Sequence, residues 1–244
     1  MMKTPIIKLA LFVILIGTSC LDMKTQDYSV YKSFEEMVDA QDSQLIEVKA
    51  ITKGPKFHWF SFYDLHQFDP TNRYALGMEV DFEGRSPTSE DTIKIGIIDL
   101  ENDCKWTEIG STTAWSWQLG CRLQWLPGSS DEVLWNERKD NHYVCRIYNV
   151  KTGESRILPR PVYSVSPDGQ KAYTYDFERV GFRGYGYDGV EAAYKYKAAP
   201  EETGVYLLDM NTGESELIIS LARISALREP DPYPAEKYLS LIHI

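Results

Sequence analysis

The sequence predicts an all-β protein built from repeated units of four short antiparallel strands. The turn phrase Thr-Gly-Glu-Ser occurs at 152–155 and again at 212–215, each time between two short, alternating apolar segments. Helical periodicity is confined to residues 32–41. Two turn types that alternate in fixed order every ~40–60 residues indicate the blades of a β-propeller. The second turn type is centred on proline and precedes a strand rich in Val, Leu, Tyr and Trp, at Pro70, Pro127 and Pro167.

Each unit contains, in order, strand A, a proline turn, strand B, a variable loop, strand C, a Thr-Gly turn and strand D. Gly153 and Gly213 are expected at positions of positive φ, which close hairpin turns of this length. The first unit carries a degenerate copy of the turn at 101–103, without glycine. We predict about three blades and the start of a fourth, and we expect a truncated chain. A β-sandwich could also contain similar hairpins, but it does not explain the alternation of two turn types.

The N-terminus has the pattern of a secretion signal. Lys3 and Lys8 precede the apolar run 9–17, which is followed by small residues and Cys20. This pattern predicts a bacterial lipoprotein lipidated at Cys20, periplasmic or at the cell surface, with plain secretion as the alternative. The run is shorter than the ~20 residues of a membrane-spanning helix, so we expect membrane contact only through the lipid anchor. The predicted segments are a signal peptide at 1–20, a linker with a short helix at 21–50 and a partial propeller at 51–244.

Composition narrows the function. The formal net charge of −10 argues against nucleic-acid binding, which normally requires a basic surface. Aromatic residues make up 13% of the chain, a content typical both of packed short strands and of sugar-binding grooves. The spacing of Cys104, Cys121 and Cys145 matches no zinc pattern. Either Cys104 and Cys121 form a disulfide or the three are small buried hydrophobic side chains, and the sequence leaves both open.

Blade geometry predicts which connections carry function. The A–B and C–D turns lie on one side of a propeller, and the B–C loops and D–A links lie on the other. Here the second group is longer and richer in aromatic and charged residues, as functional loops on a rigid scaffold usually are. The predicted B–C loops are 81–92, 136–142 and 178–203. The D–A links include 110–120 and 159–162, and residues 57–68 approach the first strand A from the same side.

Side chains on these connections are the candidates for a site. His58 and Asp64 are the catalytic candidates, as acid and base or, together with His66, as metal ligands. For each candidate a structural role is the alternative: a packed histidine, a core tryptophan or a solvated charge. The substrate-binding candidates combine stacking rings, an amide and guanidinium groups, namely Arg85, Trp115, Trp117, Gln118, Arg138, Tyr185 and Tyr187, with Arg160, Arg179 and Arg183 on the same side.

Several phrases resemble known propeller repeats. "SPDGQKAY" (166–173) and "VYLLDMNTGE" (205–214) resemble the TolB-like, WD-type repeats of bacterial envelope proteins. The stretch 58–92 and the phrase "AWSWQLGCRLQWLP" (114–127) are similar to a subgroup of secreted propellers related to the oligogalacturonate lyases. The resemblance covers about residues 55–220.

The lyase resemblance implies a seven-bladed ring at full length. It also implies a divalent metal, typically manganese, held in the channel by His and Gln side chains, and cleavage of uronate by β-elimination. In that family the metal ligands belong to later blades. On this chain only His58 resembles a family position, the histidine before the first repeat.

The leading functional hypothesis is a secreted or envelope-anchored propeller that binds or acts on oligo- or polysaccharide, by lyase-type β-elimination in the full-length protein. The alternative is a non-catalytic TolB-like scaffold lipoprotein with an envelope protein as its partner. The sequence contains no serine-nucleophile, zinc-protease, P-loop or dinucleotide motif. The sequence leaves open whether the protein is an enzyme; if it is, a polysaccharide lyase or a glycoside hydrolase is the expected class.

Overall fold

The computed structural model describes residues 49–182 and 186–227. Several features of the sequence analysis lie outside these residues, namely Cys20 with the rest of the predicted signal, the helix expected at 32–41, Arg183, Tyr185 and the chain after 227.

The described residues form three four-stranded antiparallel sheets, each made of four consecutive strands in sequence order. Blade 1 consists of β1 (Phe57–Trp59), β2 (Tyr74–Val80), β3 (Ile93–Asp99) and β4 (Lys105–Thr112). Blade 2 consists of β5 (Gln124–Trp125), β6 (Glu132–Lys139), β7 (His142–Asn149) and β8 (Ser155–Leu158). Blade 3 consists of β9 (Ser164–Val165), β10 (Lys171–Thr174), β11 (Gly204–Asp209) and β12 (Ser215–Ser220). This arrangement confirms the prediction of an all-β propeller with about three blades.

Two apolar cores join the blades. The first core packs Leu76 and Met78 of blade 1 against Val133 and Trp135 of blade 2. The second core packs Leu134, Cys145 and Ile147 of blade 2 against Ala172 and Leu208 of blade 3. Because successive side chains of a strand point to opposite faces, β6 contributes Val133 to one core and Leu134 to the other. The central strands of blade 2 are therefore buried on both faces.

The Thr-Gly turns have the predicted conformation. Gly153 and Gly213 have φ angles of 77° and 78°. In each turn an Asx side chain at the end of strand C closes the loop, since the Oδ1 atoms of Asn149 and Asp209 each accept two backbone N–H groups at 2.9–3.0 Å. The equivalent Asp99 accepts the N–H of Glu101 at 3.2 Å in the degenerate first turn. The repeated phrase thus encodes a repeated turn.

The predicted B–C loop at 136–142 is wrong. β6 runs to Lys139 and β7 begins at His142, so only Asp140 and Asn141 connect them. Both residues have positive φ, 49° and 59°, as a two-residue type I′ turn requires. Asp and Asn tolerate this conformation better than most residues, which is why the strands continue through a polar segment. We call the connection at 140–141 the tight hairpin.

The first inner strand also differs from the prediction. The sequence analysis placed strand A of blade 1 next to Pro70 and treated 57–68 as its approach. In the structure β1 pairs with the end of β2, Phe57 opposite Val80, and the residues near the proline contribute only a bridge between Phe68 and Ala75. The inner strand is therefore interrupted by residues 60–67, which leave the ladder.

Within the described residues, two short helices supplement the sheets, α1 (Glu178–Phe182) between β10 and β11 and α2 (Leu221–Ala226) after β12. The three cysteines of the described residues are free thiols, so the disulfide between Cys104 and Cys121 is not formed. Cys121 is fully buried with its Sγ 3.6 Å from the Met78 sulfur, whereas Cys104 lies in the β3–β4 turn. Within the described ranges, no helix has the length and apolar character needed to cross a membrane.

Candidate functional site

The long connections of different blades meet, as blade geometry predicts. The Trp117 indole N–H donates to the carbonyl of Arg85 at 2.7 Å, and the Trp115 indole N–H donates to the carbonyl of Asp91 at 2.8 Å. The backbone N–H of Tyr187 donates to the carbonyl of Trp115 at 3.0 Å. Residues from 81–92, the first D–A link and the connection after β10 therefore form one continuous loop layer.

The predicted stacking surface is largely the core of this layer. Trp115 is 1% exposed, and its ring is perpendicular to that of Trp117 with 5.1 Å between centroids. Trp59 packs against both rings at 5.5 and 5.2 Å. Trp117 is half-buried, and Gln118 beside it is exposed. Because the indole faces contact one another and the N–H groups bind backbone carbonyls, these tryptophans hold the loops together.

The arginine candidates are also engaged within the layer. Arg85 makes a bidentate pair with Asp91 at 2.6 and 2.7 Å, and its guanidinium lies 3.5 Å from the Phe82 ring centroid. The Arg85 hydrogen bonds hold the pKa of the Asp91 carboxyl well below its usual range. Arg138 donates to the carbonyl of Asp188 at 3.1 Å. Both guanidinium groups fix the shape of loops.

Tyr187 anchors the connection between β10 and β11, residues 175–203, which we call the long connector. Its side chain is fully buried, and its hydroxyl donates to the carbonyl of Gly120 at 3.0 Å. Its own carbonyl accepts a hydrogen bond from the Tyr143 hydroxyl. Burial raises the pKa of the Tyr187 phenol. The other tyrosine of the pair, Tyr185, lies outside the described residues.

His58 lies on the opposite face of the sheet from the loop tryptophans. Its Nε2 is 3.0 Å from the Glu79 carboxylate, and its ring packs edge-on against Trp106 with 5.3 Å between centroids. The next residue, Trp59, points to Trp115 and Trp117 because side chains alternate along a strand. The position of His58 is therefore that of a packed histidine on blade 1.

Asp64 belongs to a different cluster. Both of its carboxylate oxygens accept hydrogen bonds from Arg122, at 3.2 and 3.0 Å. Arg122 is fully buried and donates through Nε to the carbonyl of Tyr163 at 2.9 Å. Its guanidinium carbon lies 4.2 Å from the centroid of the Tyr163 ring. The structure thus gives His58 and Asp64 separate partners, and it uses Asp64 to tie residues 60–67 to blade 2.

A cleft of about 460 Å³ opens where the tight hairpin of blade 2 meets the long connector of blade 3. The hairpin contributes Asn141 and His142, and the connector contributes Asp176, Glu178 and Tyr194, with Arg160 from the link between the blades. Its volume suits a small ligand or a short segment of a polymer. We call it the interblade cleft.

A fixed ion pair forms one wall of the interblade cleft. Arg160 donates to Asp176 Oδ1 at 3.2 Å and to the Ser215 hydroxyl at 2.9 Å, and its guanidinium lies 3.6 Å from the Tyr206 ring centroid. The hydroxyl of Thr203 donates to the other oxygen of Asp176. Donor and acceptor groups are therefore held in place without a ligand, and part of each remains accessible, with side-chain exposures of 30% and 25% for the pair.

Glu178 lies in the same cleft at the start of α1. Burial raises the pKa of its carboxyl, and the negative charge of Asp176 adds to this effect. The backbone N–H groups of Glu178 and Tyr143 and the nearby His142 act in the opposite direction. The carboxyl of Glu178 therefore holds its proton to higher pH than an exposed glutamate.

The sequence analysis named Arg160 and Arg179 on this side but missed the carboxylates and His142. Asp176 and Glu178 lie two and four residues after the end of β10, at the beginning of the longest connection between the described strands, and this position is a signal that could have identified them. The predicted loop 136–142 includes His142, whereas the structure makes His142 the first residue of β7. Recognising Asp140-Asn141 as a turn would have placed it beside the third blade.

A second cavity, of about 750 Å³, lies beside the inner strands and the proline turns. Asp64, His66 and Gln124 line it together with Trp125. Among the residues that the structure describes, no group of three or more His, Cys, Asp or Glu side chains is arranged to hold a metal ion. The metal suggested by the lyase resemblance remains a prediction.

The sheets described above define the class, a β-propeller protein. No protein-family model and no curated protein matches the chain. Among solved structures, apo AtxE2 isopeptidase is similar over 72% of this chain and 33% of its own, with 14% identity and a TM-score of 0.41. TolB from Acinetobacter baumannii is similar over 66% of this chain and 33% of its own, with 11% identity and a TM-score of 0.40.

The β-propeller domain of the Trilobed protease from Pyrococcus furiosus is also similar, over 65% of this chain and 42% of its own, with 10% identity and a TM-score of 0.34. The chain thus spans about a third of the length of the isopeptidase and of TolB. One of these structural neighbours is the β-propeller domain of a protease.

Proposed function

We propose that this protein is a β-propeller of the bacterial envelope that binds a short segment of oligo- or polysaccharide in the interblade cleft. The observation that carries the proposal is the fixed pair of Arg160 and Asp176 in a cavity of sugar size, beside the partly exposed ring of Tyr194. The envelope location rests on the signal pattern that ends at Cys20.

The chemistry of the cleft suits a ligand rich in hydroxyl groups. A sugar hydroxyl both donates and accepts, so it can bind the Asp176 carboxylate and the Arg160 guanidinium in turn. Tyr194 is 36% exposed and lines the same cleft, so its ring is available to stack on a sugar. Since the pair is already oriented by Ser215 and Thr203, little side-chain entropy is lost when a ligand binds.

Binding is favoured over β-elimination in this part of the chain. His58 and Asp64, the predicted acid and base, occupy separate contacts with Glu79 and with Arg122. A lyase or hydrolase activity of a longer chain, with a divalent metal, remains a further hypothesis. So does the TolB-like scaffold with an envelope protein partner, which predicts protein capture and no glycan affinity.

The test is a glycan array followed by calorimetric titration of the best ligand with the full chain. Arg160→Gln removes a charge-assisted hydrogen bond and is expected to weaken binding by about 10- to 100-fold. The matched control is Arg85→Gln, because Arg85 also pairs with an aspartate but lies outside the cleft. The affinity of the Arg85→Gln variant for the glycan should equal that of the wild type.

Thermal unfolding of both variants separates a lost contact from a lost fold. Failure of the folded protein to bind any glycan, together with capture of a specific envelope protein, would replace this proposal with the scaffold hypothesis. Accumulation of unsaturated uronate product would show elimination in addition to binding.

A further inference from the structure

We propose that Asn136 is a positioning residue of the interblade cleft, because its side chain fixes the segment that carries Arg160 relative to the tight hairpin. This inference rests on the proposed function and adds a determinant of affinity that does not itself line the cleft. Asn136 lies in β6, four residues before the tight hairpin, and it is fully buried.

The Asn136 side chain binds both backbone groups of one residue in the link between blades 2 and 3. Its Oδ1 accepts the N–H of Val162 at 2.8 Å, and its Nδ2 donates to the carbonyl of Val162 at 3.0 Å. A neighbouring antiparallel strand makes the same pair of bonds, so the amide extends the hydrogen bonding of β6 onto the link. Val162 is also fully buried, so water does not compete for either bond.

The chain between Val162 and Arg160 has little conformational freedom. Pro159 and Pro161 fix φ on both sides of Arg160, and a residue that precedes proline is restricted to extended conformations. Two residues span at most about 7 Å, so a fixed Val162 confines the backbone of Arg160 to a small volume. At its other end the link follows β8, which is paired with β7. The position of the Arg160 backbone is therefore determined by blade 2.

The clamp joins two parts of the cleft that belong to different blades. The guanidinium of Arg160 bonds to Asp176 of the long connector in blade 3. The tight hairpin of blade 2 contributes Asn141 and His142 to the same cleft. Because Asn136 binds the link from β6 itself, it fixes Arg160 relative to the strand that leads into the hairpin. A ligand that contacts both parts then meets a preformed spacing, which lowers the entropy cost of binding.

Comparison of the blades argues against a role in packing alone. Asn136 pairs with Cys145, four residues before the Asx residue that closes the turn of blade 2, and Met78 pairs with Ile95 at the same place in blade 1. Met78 packs in the core between blades 1 and 2. Burying an amide is unfavourable unless its polar groups are paired, whereas an apolar side chain fills such a position without that cost. The amide of blade 2 is explained by what it binds, the link that carries Arg160.

The experiment is a calorimetric titration of the full chain with cello-, xylo-, N-acetylchito- and galacturono-oligosaccharides. Asn136→Ala should weaken binding of the tightest of these probes by about 2- to 10-fold, the cost of ordering a side chain that is no longer preorganised. Circular dichroism confirms that the variant is folded.

Two controls remove neighbouring contacts and leave the Val162 pair in place. Thr112→Val deletes a hydrogen bond of 2.9 Å to the backbone carbonyl of Asn136, so it should lower stability and leave the affinity unchanged. Tyr187→Phe removes the phenol hydroxyl that also interacts with the Asn136 side chain, and this variant should likewise bind as the wild type does.

A double-mutant cycle tests whether Asn136 acts through Arg160. In the Arg160→Gln background, Asn136→Ala should change the affinity by less than about twofold, because the guanidinium that it positions is absent. Pro161→Ala loosens the link and keeps the buried amide, so it serves if Asn136→Ala does not fold. It should weaken binding by about 2- to 5-fold, and this loss should also vanish with Arg160→Gln, whereas a direct contact of the proline ring with the ligand would persist.

Amide hydrogen exchange gives a readout that needs no ligand. The Val162 N–H should exchange faster in Asn136→Ala than in Thr112→Val. Equal exchange in the two variants, equal loss of affinity in the two, unchanged affinity of Asn136→Ala, or a loss that adds in full to that of Arg160→Gln overturns the inference and leaves saccharide binding intact. If the wild type binds none of the four saccharides, the proposed function itself is wrong, and the inference falls with it.

Discussion

The tight hairpin of blade 2 and the long connector of blade 3 occupy the same place in their blades, yet one has two residues and the other spans 175–203. The hairpin leaves space above blade 2, and the connector fills part of it. Tyr143 donates to the carbonyl of Tyr187, and Arg138 donates to the carbonyl of Asp188. The interblade cleft is the part of that space which remains open, so the difference in loop length creates the candidate site.

The two connections are stabilised in different ways. The hairpin closes an uninterrupted ladder that runs from the pair Glu132–Asn149 to the pair Lys139–His142. The conformation of the hairpin is set locally, by the positive φ angles of Asp140 and Asn141 and by the strands that flank them. The described residues of the connector form no such ladder, and the connector depends on tertiary contacts of buried rings such as Phe177 and Tyr187. Substitutions in the two connections should therefore have different consequences.

The largest expected effect is the loss of the connector's anchor. Tyr187→Ala removes a fully buried ring that contacts Tyr143 and Phe177, and it should lower the free energy of unfolding by about 3–5 kcal/mol. Urea unfolding followed by tryptophan fluorescence measures this value. Tyr187→Phe retains the ring and loses only the bond to Gly120, so it should cost about 1 kcal/mol.

A contrary result would be equally informative. If Tyr187→Ala unfolds at the urea concentration of the wild type but no longer binds the glycan ligand, the connector folds separately from the blades. The cleft would then be a property of a docked loop rather than of the propeller core.

A smaller effect is expected in the tight hairpin. Asn141→Val places a β-branched residue at a φ of 59° and should cost about 1–2 kcal/mol. Asn141→Gly is the matched control, and it should change the free energy of unfolding by only a few tenths of a kcal/mol, about the difference between residues that both tolerate this conformation. Equal stabilities of the valine and glycine variants would show that the turn is not type I′ in solution.

The sequence predicted those parts of the fold that local chemistry determines. The repeated Thr-Gly turns appeared because Gly153 and Gly213 supply a backbone conformation that few other residues adopt. The tight hairpin was missed although its chemistry is equally local, because Asp140-Asn141 lies within a polar segment that looks like a loop. A continuous strand with polar residues near its tip gives no hydrophobic alternation to count.

The candidate site was less predictable, since its members meet only through tertiary packing. Trp115 and Trp117 were predicted to bind a ligand, yet their contacts are with each other and with backbone carbonyls of the 81–92 loop. An exposed and a buried tryptophan have the same sequence signature. Asp176 and Glu178 line a cleft only because the hairpin of the preceding blade lies beside them. That hairpin is about 35 residues earlier in the chain, so the sequence around the two carboxylates does not reveal the contact.

The smallest expected effect is on the pH dependence of stability, where two loops should act with opposite sign. The folded-state pKa of Asp91 lies below its ordinary value of 3.8 because Arg85 stabilises the carboxylate, so this contribution is present above that value and is lost as the pH falls. The folded-state pKa of Glu178 lies above its ordinary value of 4.5, so the folded chain holds more protons, and stability falls as the pH rises through the shifted range.

Urea unfolding between about pH 3 and about pH 8 should show that Asp91→Asn removes part of the acid-side loss and that Glu178→Gln removes part of the loss on the other side. Both changes should be smaller than those of Tyr187→Ala and Asn141→Val, because solvent screens partly exposed charges. A Glu178→Gln profile parallel to the wild-type profile above pH 4.5 would mean that Glu178 is ionised in the folded protein, and the contrast between the two loops would disappear.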